Sequence, residues 1–229
     1  MSMFRQTLDY DGVLVLPRWF EESLIDELTA LCEPLLAAEA KPGVRRVLAK
    51  EPRLRSLVEN GPVRELLSSL GGGDVRVVRS ILFNKNAQTN WLVPWHQDPT
   101  IAVAERVDLP GFLNWNTKDG ELHCQPPIAL LERMFTVRIH LDQCGVESGP
   151  LRVIAGSHRR GLLSRDEIDR CAEEGQVVEA LTERGGVAVM TPLSVHSSPK
   201  ATSTNARRRV LHLECATEAL PHGLQWAQA

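Results

Sequence analysis

Trp95-His96-Gln97-Asp98 is the stretch around which the fold and the site of this chain can be understood. Residues two apart on an extended strand project from the same face, so His96 and Asp98 can present one imidazole and one carboxylate to the same point. A second histidine, His196, follows about a hundred residues later in Ser194-Val195-His196-Ser197-Ser198. Two histidines and one carboxylate would then meet between strands that are distant in sequence.

Such a set is typical of a single metal centre. Two imidazoles and one carboxylate occupy one face of an octahedral ion and leave the opposite positions open, which is the arrangement in non-haem Fe(II) oxygenases. A bare His-x-Asp occurs by chance in many proteins, and its value here comes from the proline-bounded strand before it and from the later histidine. The sequence therefore predicts a metal site formed by His96, Asp98 and His196.

The composition indicates one domain, covering residues 1–229. A net charge of −3 and a pI near 6.2 provide no general attraction to nucleic acid or to anionic membranes. Five cysteines, an odd number without a C-x-x-C pair, indicate reduced thiols. The N-terminus lacks the apolar run of a signal peptide, and no segment is long enough to span a bilayer. We therefore expect a cytoplasmic protein that binds neither nucleic acid nor membrane.

Helical spacing dominates the first third of the chain, and strand patterns dominate the remainder. Leucines at helical spacing predict a helix at about residues 21–37 and a second helical stretch at 51–70, interrupted at Gly61-Pro62. Strands are predicted at 75–83, 135–141, 151–154, 186–190 and 207–215. The expected fold class is α+β and mainly β: a helical part at about 18–72 covers one side of a barrel at about 74–216.

Two segments between these elements carry predictions of their own. Ser164 followed by Glu167 is a capping-box pattern, which predicts that a short helix begins there. Residues 99–127 form a long segment with Pro, Gly and Asn, and a loop of this length in a compact domain is usually functional. It is either a lid over the site or a surface excursion anchored by Trp115, and it could also serve an interface between subunits.

The last strand predicts an arginine that binds an anion. By alternation, Arg207 shares a face with Leu211 and Leu213, whereas Arg208 shares the opposite face with His212. If the leucines mark the inward face, Arg207 points inward, and an inward arginine is costly to bury without an anion. A guanidinium clamp for a ligand carboxylate would meet that need, and a structural salt bridge to an Asp or Glu is the alternative.

Taken together, these motifs make the sequence resemble the phytanoyl-CoA dioxygenase family. From Asp11 onward the resemblance covers most of the chain, in order and at the family's spacing. It lies in Trp95-His96-Gln97-Asp98, Leu141-Asp142, Glu147-Ser148-Gly149-Pro150-Leu151, Ala155-Gly156-Ser157-His158 and His196 with Arg207. The family is built on a double-stranded β-helix, a jelly roll similar to that of the cupins, and uses Fe(II), 2-oxoglutarate and O2. The resemblance implies the same fold and the same cofactors here.

The resemblance also implies a role for each matching residue. His96, Asp98 and His196 would bind the iron. Arg207 would bind the distal carboxylate of 2-oxoglutarate, with support from the hydroxyl of Ser198.

Two further positions bear on the reaction. Halogenating relatives replace the carboxylate ligand with a small residue, so the presence of Asp98 favours hydroxylation. Many members carry a tryptophan where this chain has Arg138. An arginine at that position could bind the co-substrate or an anionic substrate, and the sequence leaves this choice open.

The function that the resemblance implies is an Fe(II)/2-oxoglutarate-dependent dioxygenase. It would hydroxylate an unactivated C–H bond of a small organic molecule and release succinate and CO2. One alternative is a non-catalytic jelly-roll protein that senses the metal or 2-oxoglutarate. The other is a cupin-type metalloenzyme that does not use 2-oxoglutarate. Neither the substrate nor the oligomeric state follows from the sequence.

Overall fold

The computed structural model describes residues 3–39 and 41–229. Its helices are α1 (Met3–Asp11), α2 (Glu22–Ala38), α3 (Val47–Lys50), α4 (Pro52–Glu59), α5 (Gly61–Gly71), α6 (Ile128–Leu131) and α7 (Arg165–Glu174). Its strands are β1 (Val13–Leu16), β2 (Gly43–Arg45), β3 (Arg76–Lys85), β4 (Val93–His96), β5 (Ile101–Val103), β6 (Leu113–Lys118), β7 (Glu121–Gln125), β8 (Met134–His140), β9 (Arg152–Ile154), β10 (Val177–Glu179), β11 (Val187–Met190), β12 (His196–Ser198) and β13 (Arg208–Ala216).

A six-stranded antiparallel sheet forms one wall of the protein, in the order β1-β11-β8-β13-β3-β2. Its outer face is apolar: Val137, Leu211 and Leu213 belong to one hydrophobic cluster with Leu28 of α2 and Leu66 of α5. Because side chains alternate along a strand, the polar residues of β13 face the other way, toward the interior. The main hydrophobic core therefore lies between this sheet and the helices.

A four-stranded sheet, in the order β10-β9-β12-β4, forms the opposite wall. β12 pairs with β4 so that His196 lies directly opposite His96. Side chains from both sheets line one cavity, with Arg138 and His212 on one side and the two histidines on the other. Two antiparallel sheets that enclose a site in this way form a jelly roll. The prediction of a double-stranded β-helix is confirmed.

The helices begin and end close to the predicted positions. α2 covers the first predicted helix, and the second predicted stretch is divided at Asn60 into α4 and α5, each with a proline in its first turn. At α7, the Ser164 hydroxyl accepts from the Glu167 amide, and the Glu167 carboxylate accepts from the Ser164 amide. The predicted capping box is therefore present. Within residues 3–39 and 41–229, no helix has the length and apolar character needed to cross a membrane.

The prediction of a long loop at residues 99–127 is wrong, because about half of the segment forms a three-stranded sheet in the order β5-β7-β6. Asp119 and Gly120 form the turn between β6 and β7 with φ of 51° and 79°. An Asp-Gly pair with positive φ at both positions is the usual signal of a tight hairpin. At the tip, Asp119 Oδ2 accepts a hydrogen bond of 2.6 Å from Arg45 Nε, and Arg45 lines the cavity. The hairpin thus reaches the rim of the site.

Candidate active site

The structure brings together the three residues of the predicted metal site. His96 ends β4, His196 begins β12, and Asp98 follows His96 by two residues, so all three point into the cavity between the sheets. Asp98 Oδ1 lies 3.6 Å from His96 Nε2, and Asp98 Oδ2 lies 3.5 Å from His196 Nε2. The three potential ligand atoms lie within 4.8 Å of one another. This is the spacing at which one small cation can contact all three.

Hydrogen bonds to the backbone fix the orientation of both imidazoles. His96 Nδ1 lies 2.8 Å from the Pro94 carbonyl oxygen, and His196 Nδ1 lies 2.9 Å from the Ser194 carbonyl oxygen. A carbonyl only accepts, so each Nδ1 carries the proton and each Nε2 keeps its lone pair for the cavity. Metal-binding histidines are held in the same way by a hydrogen bond on the nitrogen that does not bind the metal.

Gln97 lies directly after β4, between His96 and Asp98, and it points away from the cavity and holds the surrounding loops. Its Nε2 donates to the carbonyl oxygens of Gly161 and Leu193, at 2.8 and 2.6 Å, and its Oε1 accepts from the Leu163 amide at 2.8 Å. The glutamine therefore ties β4 to the segment that leads into β12. This connection adds to the direct pairing of β4 with β12, the two strands that carry the histidines.

The charge states within the triad suit a divalent metal. Burial alone would raise the pKa of Asp98, but the His196 and His96 imidazoles outweigh it, and the net shift is well downward. Burial lowers the pKa of His196 to about 4. Burial also lowers the pKa of His96, but its contact with Asp98 outweighs this effect, and the net shift is upward. Metal binding needs a carboxylate and neutral imidazoles, and displaces the protons that remain.

A second group of polar side chains lies against the cavity, which its members Ser198 and Arg208 line. Lys85 Nζ donates to Ser198 Oγ at 2.9 Å and to the Pro199 carbonyl oxygen at 2.6 Å. Arg208 Nη2 donates to the same hydroxyl at 3.4 Å, and Arg208 Nη1 donates to the Gly149 carbonyl oxygen. Lys85 and Arg208 are fully buried, yet neither forms an ion pair with a carboxylate of the described chain. Two buried cations and a hydroxyl without an anion suit a carboxylate ligand.

The backbone around this cluster is packed too closely for a side chain at Gly149. This residue has a φ of 65°, and a Cβ there would lie 2.4 Å from the Pro199 carbonyl oxygen. Gly149 also supplies the carbonyl that accepts from both Ser198 and Arg208. The Ser148-Gly149-Pro150 turn seen in the sequence therefore shapes the polar cluster directly.

The prediction that Arg207 points into the barrel is wrong. Its side chain is 51% exposed, and its Nη2 donates to Glu33 of α2 at 2.7 Å. Side chains alternate along the strand as predicted, but Leu211 and Leu213 mark the face that packs against the helices, not the barrel interior. The arginine on the interior face is its neighbour, Arg208.

Arg138 lies on the interior face of β8 and is buried, with 6% of its surface exposed. Its Nη1 bonds to His212 Nδ1 at 2.8 Å, and its guanidinium carbon lies 5.5 Å from the centre of the Phe83 ring. Burial, followed by repulsion from Arg208, lowers the pKa of Arg138 to about 9. The structure therefore places the Arg138 side chain in the cavity, which is the inward orientation that binding a co-substrate or substrate would require.

Sequence reasoning missed Lys85, Arg208 and His212. The alternation of β13 put Arg208 and His212 on one face, and the polar character of that face was the available signal. Lys85 ends a run of β-branched residues with no motif around it, and only the pairing of β3 with β13, which places Lys85 opposite Arg208, identifies it.

The fold and the site together define a class of protein: a jelly roll that holds two histidines and one carboxylate between its sheets, as in metal-dependent oxygenases of the non-haem type. The chain belongs to the phytanoyl-CoA dioxygenase family, because the family model described as "Phytanoyl-CoA dioxygenase (PhyH)" matches residues 8–210. The protein is thus an Fe(II)- and 2-oxoglutarate-dependent oxygenase, and the prediction of this enzyme class is confirmed. The sensor and the 2-oxoglutarate-independent cupin find no support.

Solved structures share the fold at low sequence identity. AviO1 from Streptomyces viridochromogenes Tue57 is 23% identical, with a TM-score of 0.69 and coverage of 95% of both chains. The "non-heme alpha ketoglutarate dependent carbocyclase SnoK from nogalamycin biosynthesis" is 18% identical, with a TM-score of 0.72, and the match covers 100% of this chain and 87% of SnoK. EctD from S. alaskensis, solved "with 2-oxoglutarate and 5-hydroxyectoine", is 18% identical, with a TM-score of 0.72 and coverage of 94% and 76%. The search of curated proteins found no match.

Proposed function

We propose that His96, Asp98 and His196 bind the Fe(II) of this oxygenase. The observation that carries the proposal is the convergence of two Nε2 atoms and one carboxylate within 4.8 Å, with both Nδ1 atoms bonded to backbone oxygens. When bound, iron and 2-oxoglutarate supply the oxidising chemistry, in which O2 is consumed, 2-oxoglutarate becomes succinate and CO2, and one oxygen atom enters the substrate. The protein holds the three ligands on one face and leaves the cavity side open.

We further propose that Arg208, Ser198 and Lys85 bind the distal carboxylate of 2-oxoglutarate, in place of the predicted pair of Arg207 and Ser198. Arg208 contributes a planar donor and Lys85 a compact charge, and the Ser198 hydroxyl bonds to both. The cluster holds a buried guanidinium and a buried lysine amine without an anion, so binding a carboxylate relieves a cost of the folded state.

The proposed reaction is hydroxylation of a C–H bond in a small substrate that carries a negative group. The cavity has a volume of about 340 Å³, in the range of small-molecule sites. Five of its lining residues are Lys or Arg (Arg45, Arg79, Lys118, Arg138 and Arg208), and two are Asp or Glu (Asp98 and Glu214). Arg45 and Arg79 are paired with carboxylates, which leaves Lys118, Arg138 and Arg208 without a carboxylate partner in the described chain and favours anions over neutral molecules.

We also propose that the protein resides in a reducing, cytoplasmic compartment. This proposal is supported by the five cysteines, which are all buried and free: Cys32, Cys124, Cys144, Cys171 and Cys215. Thiol titration of the unfolded protein, isolated without reductant, should recover all five.

Uncoupled turnover of 2-oxoglutarate tests the proposed function. Purified protein loaded with Fe(II) under air should release succinate slowly without a substrate, whereas the His196→Ala variant should not. Failure of the folded, iron-loaded wild type to bind or consume 2-oxoglutarate would contradict the proposal. His222→Asn serves as a matched control, because His222 is an exposed histidine in a turn near the C-terminus.

A further inference from the structure

The strongest unexplained feature of the cavity is the way in which Arg138 is held. Arg138 and His212 are direct cross-strand partners on β8 and β13. Arg138 Nη1 donates to His212 Nδ1 at 2.8 Å, so this nitrogen of His212 is the acceptor and the proton lies on Nε2. His212 Nε2 in turn faces Glu214 Oε1 at 3.5 Å. A carboxylate thus orients an imidazole, and the imidazole orients the guanidinium.

The contacts that run from Glu214 through His212 to Arg138 are fixed at both ends. Glu214 accepts a hydrogen bond of 2.7 Å from Arg79 Nη1, so its charge is matched by Arg79 and is not available to Arg138. The Phe83 ring contacts His212 edge-on, with centroids 5.3 Å apart, and lies beneath the Arg138 guanidinium. Arg138 is therefore locked in one orientation by contacts that use only one of its terminal nitrogens.

The other edge of the guanidinium has no partner. In the described part of the chain, Arg138 Nε is buried without a hydrogen-bond partner, Nη2 makes no hydrogen bond, and no carboxylate lies within ion-pair distance. Leaving a buried cation in this state is costly, and natural sites that do so commonly bind an anion. The Nε–H and Nη2–H edge presents two parallel donors, the geometry that a carboxylate accepts.

The distal carboxylate of 2-oxoglutarate does not fill this role, because Arg208, Ser198 and Lys85 form a complete cluster of their own. One carboxylate charge reaches that cluster and matches the charge of Arg208, whereas Arg138 is a second buried guanidinium without an ion pair in the described chain. A positive charge at Arg138 therefore remains after the co-substrate is bound.

We propose that Arg138, positioned by His212 and Glu214, is the residue that binds a carboxylate group of the substrate, and that the enzyme acts on a small carboxylic acid. This inference rests on the proposed function of the metal and 2-oxoglutarate sites. It makes Arg138 a specificity-determining residue, and His212 a positioning residue that acts through it.

The test compares a carboxylate with its uncharged analogue. Protein loaded with Zn(II) and saturated with 2-oxoglutarate is titrated with hexanoate and with hexanamide, and binding is followed by ligand-observed NMR. The wild type should bind hexanoate at least about tenfold more tightly than hexanamide, since a charged hydrogen-bonded pair is gained. Arg138→Gln should remove this preference while the affinities for Zn(II) and 2-oxoglutarate stay within about threefold.

Two further variants keep the test decisive if Arg138→Gln folds poorly. Arg138→Lys keeps the charge but lacks the two parallel donors, so it should lose most of the preference for hexanoate. His212→Phe should weaken hexanoate binding without changing binding of hexanamide, because the guanidinium is no longer oriented.

Four outcomes would overturn the inference. One is an equal hexanoate preference in the wild type and Arg138→Gln, and another is the absence of hexanoate binding to the wild type at millimolar concentrations. A loss of 2-oxoglutarate affinity in Arg138→Gln with the preference intact would assign Arg138 to the co-substrate. Tighter binding of inorganic phosphate than of hexanoate would assign the site to a tetrahedral anion. Failure of the wild type to bind Zn(II) or 2-oxoglutarate would instead contradict the proposed function.

Discussion

Arg207 and Arg208 are adjacent in sequence but lie on opposite faces of the six-stranded sheet. Arg208 is 2% exposed and shares the Ser198 hydroxyl with Lys85, whereas Arg207 lies on the outer face and pairs with Glu33. The period-2 alternation of a strand separates two neighbouring arginines in this way. One of them can bind a ligand inside the barrel, and the other can contribute only a surface ion pair.

This pair provides a matched comparison for the co-substrate site. Arg208→Gln should weaken 2-oxoglutarate binding by about 10- to 100-fold, because a buried, charged hydrogen-bonding partner is lost. Arg207→Gln removes the same charge one residue away and should change the affinity by less than about threefold. Calorimetry with Mn(II)-loaded protein measures both. An effect of Arg207→Gln as large as that of Arg208→Gln would contradict the assignment.

Lys85 should make 2-oxoglutarate binding depend on pH. Burial, followed by repulsion from Arg208 and Arg138, lowers its pKa to about 7, and the nearby Cys144 opposes this shift weakly. Above that pH the free protein has a neutral Lys85, so an anion that needs the charged form must bind together with a proton. Affinity should therefore fall as pH rises from 7 to 9, by up to about tenfold per unit.

The matched variant is Lys85→Met, which should bind 2-oxoglutarate more weakly at pH 6.5 and lose this pH dependence.

The effect of pH on the stability of the fold has the opposite sign. Because the folded pKa is below the unfolded value, the unfolded chain binds the extra proton between about pH 7 and 10.5, and the Lys85 contribution to stability rises with pH over that window. If 2-oxoglutarate affinity declined equally with pH in the wild type and in Lys85→Met, Lys85 would be excluded as the titrating group.

The contact between Asp119 and Arg45 should hold the β6–β7 hairpin against the rim of the cavity. Asp119→Asn should increase amide hydrogen exchange across residues 113–125 while the midpoint of global unfolding stays nearly unchanged, because Asp119 is exposed and Arg45 is only half-buried. Arg45→Gln should have the same effect, and the double variant should add little to either. Unchanged exchange would show that the ion pair does not restrain the hairpin. Protection that rises with protein concentration would favour an interface over a lid.

Only part of the candidate metal site could be predicted from local sequence. His96 and Asp98 are two residues apart, so one extended segment presents both to the same point. His196, about a hundred residues later, was joined to them by the resemblance to the family and lies opposite His96 through the pairing of β4 with β12. The arginine could not be assigned, because alternation gives two faces and does not say which one is inside. Here the apolar face, with Leu211 and Leu213, is outside and covered by helices.

Two other features, Lys85 and the hairpin at residues 113–125, were also missed by the sequence prediction. Lys85 enters the site through the pairing of β3 with β13, which joins residues 123 positions apart in sequence and leaves no local trace. The hairpin at residues 113–125 did leave a signal, the Asp119-Gly120 turn, but weak alternation in its exposed strand β6 obscured it. Pairing between distant strands and the choice of inner face are decided by tertiary packing.

The most direct test of the central claim is an anaerobic titration of Fe(II) and 2-oxoglutarate into the protein, followed by the visible charge-transfer band of the iron chelate. The wild type and His222→Asn should both develop the band. His96→Ala and His196→Ala should lose it at the same concentrations, because a remaining pair of ligands holds iron too weakly. A folded wild type that shows no band, or an equal band in His196→Ala, would contradict the assignment of His96, Asp98 and His196 as the iron site.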